Sequence, residues 1–358
     1  MNSLLKSSAP KDGGGLPRVS VIVPCYNYGH FLPECVESIL LQDGVNVDVL
    51  IIDDASPDGS WEVAESLAAQ DSRVALIRHD VNYGHIATYN EGLSHIQGDY
   101  VVLLSADDIL TKGALARATA VMETYPSVGL VYGHPVSFYG SDVPSPTLHL
   151  RSWSVWSGSE WIAAQCRRRL SCIYSPEAVA RASIQKAVGC YSAELPHSAD
   201  LEMWLRIAAV SDVARVNGPD QALRRIHTAS MMQTSFASLQ NDLRERQYAY
   251  EHFFAGPGKA LPNAEHCLSI IRAGLAEEAV GAACNILMSQ GEGPDVDELV
   301  QLAGGIVGCL ENTRAWQELC LLRIDNKSVK ERLLLRWYTL RRDIEGRIRW
   351  RRWRWSGI

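Results

Sequence analysis

"VSVIVPCYNYGHFLPECVESILLQ", residues 19–42, sets a short Val/Ile-rich run against a helical apolar pattern, with a polar turn between them. The run 18–24 ends at Pro24 and reads as a buried strand. Residues 30–42 place Leu32, Val36, Ile39 and Leu40 at helical spacing. The same unit then repeats: strand 47–54, helix 60–70 with Ser60 as N-cap, strand 74–79, helix 85–96 and strand 99–105. Alternation sustained this far predicts an α/β fold, a mostly parallel sheet with helices on both faces.

Ligands of such sheets sit beyond the carboxyl ends of the strands. Three polar clusters fall there: Pro24-Cys25-Tyr26-Asn27, Asp53-Asp54 and Asp107-Asp108. The last closes an apolar run, residues 100–104. Adjacent acids beside a core are costly unless something positive meets them, so the sequence predicts a cationic partner.

Beyond Tyr132 the alternation stops. Prolines and serines across 133–172 predict long loops. Ser175-Pro176-Glu177 predicts a helix start within 175–189. Residues 199–211 read as an amphipathic helix with Leu201, Trp204, Leu205 and Ala208 on one face, and 223–232 as a short strand and loop. From about residue 236 the sequence predicts helices separated by Gly, Pro and Asn breaks. The expected partition is a leader at 1–17, an α/β domain at 18–235 with halves 18–132 and 133–235, a helical region at 236–346 and a basic tail at 347–358.

Bulk properties narrow the function classes. A net charge of -7 argues against general nucleic-acid binding, which needs a basic surface. Nine scattered cysteines without a CxxC pair fit reduced thiols, as in the cytoplasm. The Gly-rich start carries no signal-type apolar segment, and no run reaches the length of a membrane span. From Glu331 to Ile358, nine arginines face three acids, with Trp337, Trp350, Trp353 and Trp355 interleaved. That composition suits peripheral contact with an anionic inner membrane face, and equally a helix end docking on its own acidic body.

The ordered set "VSVIVPCYNYGHFLPECVESILLQ", "DVLIIDDASPDGS", "NYGHIATYNEGL" and "GDYVVLLSADD" resembles the family 2 glycosyltransferases over roughly residues 18–230. The resemblance implies a GT-A-type fold with a nucleotide-binding sheet. It also implies transfer of a sugar from a nucleotide-diphosphate donor (UDP-, dTDP- or GDP-sugar), usually with inversion, to a glycan, lipid-linked or small-molecule acceptor. Asp107 and Asp108 are then expected to hold Mn2+ or Mg2+, with His227 at a position that contacts the metal or diphosphate. Ser105 stands where the family's Asp-x-Asp has its first acid and adds no charge. The donor is expected along Pro24, Tyr26, Asp54, Asn82, Gly84, Asn90, Ser105 and Asp107, with Asp54 receiving a base N–H. Asp200 matches the catalytic acid, with Ala199 where the family carries glutamate.

Bland readings stand beside these. Asp53 can anchor the "SPDGS" turn, Asn90 can be a satisfied buried amide, Asp200 can simply suit a helix's first turn, and His227 can be structural. Arg224 and Arg225 can meet phosphate oxygens or pair with a surface acid. Two other functions remain open on sequence: a catalytically impaired nucleotide-sugar-binding module, and a dinucleotide-dependent oxidoreductase. Against the latter, no GxGxxG opens the helix after the first strand.

Overall fold

The computed structural model of the chain describes residues 15–228, 238–311, 313–325 and 328–357. Residues 1–14 of the expected leader and 229–232 of the expected loop lie outside the described residues. The chain divides into two units, one of residues 15–162 and 172–228, the other of 163–171 and 238–356.

The first unit opens with β1 (Arg18–Cys25), α1 (Leu32–Leu40), β2 (Asn46–Asp53), α2 (Ser60–Gln70), β3 (Val74–Arg78), α3 (His85–Ser94) and β4 (Tyr100–Leu103). Strands β3, β2, β1 and β4 pair in parallel in that order. Residues Val19 to Val23 of β1 are all buried, as expected where helices cover both faces of a parallel sheet. Each fully buried Val or Ile contributes about 1.5–3 kcal/mol. Gly92 lets α3 lie against this sheet, because a Cβ there would stand 2.3 Å from Ile22 Cγ2.

The unit continues with β5 (Ile109–Leu110), α4 (Ala114–Thr124), β6 (Val128–Tyr139), β7 (Ser152–Trp156), the start of α5 (Gly158–Arg168, whose residues from 163 onward belong to the second unit), β8 (Val179–Arg181), α6 (Ala182–Val188), α7 (Ala199–Val210) and β9 (Asp212–Ile226). Together the strands make one mixed sheet ordered β3-β2-β1-β4-β8-β6-β9-β5, with β7 on β9. The fold is thus a mostly parallel α/β sheet flanked by helices.

Four expectations are corrected. Ser175-Pro176-Glu177 does not start a helix: Ser175 has φ 85°, and Ala178 N–H donates to Ser175 O at 2.9 Å. Residues 179–181 form a strand instead, because Val179 and Ala180 are buried where that strand pairs antiparallel with β4 and β6. The stretch 133–172 is less loop-rich than its prolines suggest, since it holds the end of β6, all of β7 and α5. The strand before His227 is not short: β9 spans 15 residues, and register shifts against β6 absorb Gly218-Pro219. Finally, α7 is buried from Leu201 to Ala208 on all sides, not on one face. It tolerates Glu202 because Arg206 Nε donates to that carboxylate at 2.8 Å.

The second unit is helical: α8 (Leu239–Ala255), α9 (Ala264–Gln290), α10 (Pro294–Val307), α11 (Arg314–Leu322) and α12 (Val329–Ser356). Ser238 and Thr313 cap α8 and α11, accepting from Asn241 N–H and Trp316 N–H. Residues 347–356, set apart by composition, continue α12 without a break.

Candidate functional site

The turn after β4 carries Ser105, Asp107 and Asp108, and the two acids meet the end of β9. Antiparallel pairing of Ile109 with Leu223 brings the two segments together. Ser105 Oγ donates to Asp107 Oδ1 at 2.5 Å, and Asp107 Oδ2 lies 3.1 Å from His227 Nε2. The His227 ring is set by Tyr28 and Phe31, each with its centroid 5.2 Å away. Asp108 Oδ1 accepts the Arg225 backbone N–H at 2.9 Å. Burial, reinforced by the charge of Asp107, pushes the Asp108 carboxyl well above the usual range.

Arg225 is the fixed cation of this corner. Its guanidinium donates to Asp107 O at 3.2 Å, Gly140 O at 2.8 Å and Glu34 Oε2 at 2.5 Å. It also lies over the Phe31 and Phe138 rings at 4.7 and 4.6 Å. Of the two expected readings of this residue, the structure shows pairing with an acid. Arg224 is half-buried over the Tyr174 ring at 5.2 Å.

Asp200 stands in the first turn of α7. The Ser175 hydroxyl donates to its Oδ2, while its Oδ1 is buried with no hydrogen-bond partner. Burial raises the Asp200 carboxyl above the usual range, opposed by the Ser175 hydroxyl, His85, Tyr191 and His197. Burial raises the hydroxyl of Tyr89 on α3, and the charges of Asp200, Asp107 and Asp108 add to the rise. Glu202, two residues on, is turned to Arg206.

Sequence reasoning missed Glu177. It is 2% exposed, accepts the Tyr174 N–H at 2.8 Å, and burial pushes it up to about 7. Arg224, Asp200 and Asp108 share its electrostatic surroundings. The sequence offered no signal for it, because a Ser-Pro-Glu triplet reads equally well as a helix start.

The other expected donor residues cluster near β2 and α3. Asp54 already has both oxygens engaged: Oδ1 meets His79 Nδ1 at 2.7 Å and Tyr83 N–H at 2.8 Å, and Oδ2 accepts Gly84 N–H at 2.9 Å. It thereby fixes the loop holding Asn82, whose Oδ1 also accepts from Gly84 N–H at 3.0 Å. Gly84, at φ 84°, immediately precedes α3 in a conformation that favours glycine. His79 was also missed by the sequence reading. Burial opposes its charge, but hydrogen bonds to Asp54 and Glu91 outweigh this and raise it above the usual range. Asp53 takes part of the turn role, accepting Ser56 N–H at 3.4 Å, while its Oδ1 is buried without a hydrogen-bond partner. Asn90 spends its amide on the Tyr191 backbone, accepting N–H at 2.7 Å and donating to C=O at 2.9 Å. Tyr26 is exposed and Pro24 half-buried beside it.

Among the described residues no three His, Cys, Asp or Glu side chains converge as a cage for a metal. Asp107 and His227 supply two donors of a kind that suits a hard or borderline divalent ion.

Residues 20–175 match the family model described as "Glycosyl transferase family 2". A curated relative, glycosyltransferase GlyG of Streptococcus pneumoniae, is 36% identical over 97 residues, which are 27% of this chain and 32% of that protein. The chain spans about a third of the length of the first curated relatives it matches. The structure of S. aureus TarS 1-349 with UDP-GlcNAc superposes with TM-score 0.59 at 16% identity, covering 81% of this chain and 80% of that one. A mannosyltransferase from Pyrobaculum calidifontis, solved with GDP-Man and Mn2+, gives TM-score 0.51 at 18% identity, covering 88% and 86%. These likenesses show a shared GT-A-type fold. Residues 20–175, somewhat under half of the chain, are thus similar to glycosyl transferase family 2.

Proposed function

We propose that this protein is a glycosyltransferase that moves a sugar from a nucleotide-diphosphate donor to an acceptor hydroxyl, with inversion at the anomeric carbon. The observation that carries the reading is the Asp107–His227 pair, 3.1 Å apart at the turn after β4, within a chain whose residues 20–175 match glycosyl transferase family 2. TarS with UDP-GlcNAc and the mannosyltransferase with GDP-Man and Mn2+ support a nucleotide sugar as the donor class.

Asp200 is the general base. Burial lifts its proton affinity, which improves it as an acceptor for the proton of an attacking hydroxyl. Its unpartnered Oδ1 is the oxygen available to that proton, and Ser175 holds Oδ2. As the acceptor oxygen bonds to the anomeric carbon, the carbon–phosphate oxygen bond breaks and the nucleoside diphosphate leaves from the opposite face. One base suffices for a single inverting displacement, whereas a glycoside hydrolase needs a second carboxylate. Asp107 and His227 are the residues that would hold Mn2+ or Mg2+. Such an ion supplies positive charge to the departing diphosphate. Arg224 orients phosphate oxygens, and Arg225 holds the Asp107-Asp108 turn in place. The "NYGH" loop, pinned by Asp54, forms the wall beside the nucleotide. Acceptors of this class are glycan, lipid-linked or small-molecule hydroxyls.

The test is a panel of UDP-, dTDP- and GDP-sugars with Mn2+, read as acceptor-dependent release of nucleoside diphosphate. Release with at least one donor supports the reading. Binding of a nucleotide sugar without release across a broad acceptor panel would move the protein to a non-catalytic binding module.

A further inference from the structure

Helix α12 has two unlike faces. One packs within its own unit: Tyr338 OH donates to Gln317 Oε1 at 2.9 Å, and Arg342 donates to Glu318 Oε2 at 2.6 Å and Asn285 Oδ1 at 2.7 Å. On the same side Trp353 is buried, with the Arg168 guanidinium 5.4 Å from its ring centroid. The opposite face repeats an apolar side chain every three or four residues: Val329, Leu333, Trp337, Leu340, Ile344 and Ile348. Each of these six is at least 45% exposed. The stripe extends about 28 Å along the helix at 1.5 Å per residue. Exposed Lys330, Arg332, Arg336, Arg347 and Arg351 border or interrupt it. Of the nearby acids, Glu345 is paired with Arg341 at 2.7 Å, and Asp343 is a single exposed acid on the same rim.

We propose that this face of α12 docks on the surface of an anionic lipid bilayer, with the helix axis in the membrane plane. An apolar stripe of this length rimmed by cations matches an interfacial helix: the stripe enters the acyl boundary while the basic groups reach the headgroups. Trp337 sits in the stripe, and tryptophan favours that depth. A second copy is a poorer occupant, because stripe-to-stripe pairing sets arginine rows against one another. No helix among the described residues is long and apolar enough to cross a membrane, so the helix lies on the surface. The anchor is therefore the 329–348 stripe. The segment 347–358 adds charge, but its Trp353 faces inward. The proposal is independent of the donor-site reading, and its test requires no turnover.

The full chain is sedimented with vesicles of phosphatidylcholine alone and of equimolar phosphatidylglycerol and phosphatidylcholine. Binding to the anionic vesicles only, weakened by salt, is the expected result. The double variant Leu340→Glu/Ile344→Glu retains its circular dichroism and melting temperature, because both residues are exposed, and loses sedimentation. Arg336→Glu/Arg347→Glu lowers partitioning roughly tenfold or more. Wild type that stays in the supernatant, or apolar-stripe variants that sediment as wild type does, overturns the proposal. So does a vesicle-free dimer that the same substitutions dissociate, since that outcome assigns the face to a second copy.

Discussion

His227 Nε2 lies 3.1 Å from Asp107 Oδ2, although 120 positions of chain separate the two residues. The contact exists because β9 lies between β6 and β5, parallel to the first and antiparallel to the second, which places the residue after Ile226 against the turn that follows β4. An acid at the end of an apolar run is thereby matched with an imidazole and framed by the Arg225 clamp.

If this pair receives a metal-bound diphosphate, nucleoside diphosphate with Mn2+ will protect the fold against heat. At a ligand concentration about 100-fold above Kd, the stabilisation is about 2.7 kcal/mol. Asp107→Asn and His227→Ala are each expected to remove most of it, as measured by differential scanning fluorimetry. Equal protection of both variants would place the nucleotide elsewhere.

Asp200→Asn retains the shape of the buried site but cannot take a proton. Turnover should fall about 10²–10⁴-fold. Donor affinity, measured by calorimetry, should be unchanged. Near-normal kcat in this variant would exclude Asp200 as the base.

Glu177 gives a pH signature of stability in the metal-free protein. Its folded carboxyl titrates at about 7 against an ordinary value of 4.5, so between these values the folded state keeps a proton that the unfolded state has released. Stability is fully retained below pH 4.5, falls as pH rises to about 7, and is then level. The loss is at most about 3 kcal/mol. Glu177→Gln should flatten that slope in urea denaturation at a series of pH values. An unchanged slope would mean that the carboxyl is solvated in solution.

Arg225 tests the clamp. Its removal breaks the hydrogen bonds to Asp107 O, Gly140 O and Glu34 together with two ring contacts. Arg225→Ala is expected to cost about 3 kcal/mol in denaturant unfolding. Arg225→Lys should recover little of this, because an ammonium cannot reproduce the planar fork.

The part of the fold legible in the sequence is the part where local pattern and tertiary role agree. Strands β1 and β4 are largely apolar, buried runs, and polar clusters follow β1, β2 and β4. Residues 179–181 were unreadable for the opposite reason: Ser-Pro-Glu mimics a helix start, and only pairing with β4 and β6 makes the next residues a strand. Strand β9 was cut short in the reading because Gly218-Pro219 is ordinarily a breaker, whereas here it sits at irregularities in the pairing with β6. Asp107, Asp108, Asp200 and His227 could be picked out by their place in an ordered motif set. Glu177, His79 and the clamping role of Arg225 could not, since their character comes from burial and from partners distant in sequence.

The most direct measurement is an anomalous difference map, at the manganese edge, of crystals grown with Mn2+ and a nucleoside diphosphate. The account predicts a peak within coordination distance, about 2.0–2.3 Å, of both Asp107 and His227, with the diphosphate completing the shell. A nucleotide bound without a peak at that corner, or a peak held by other residues, would contradict it.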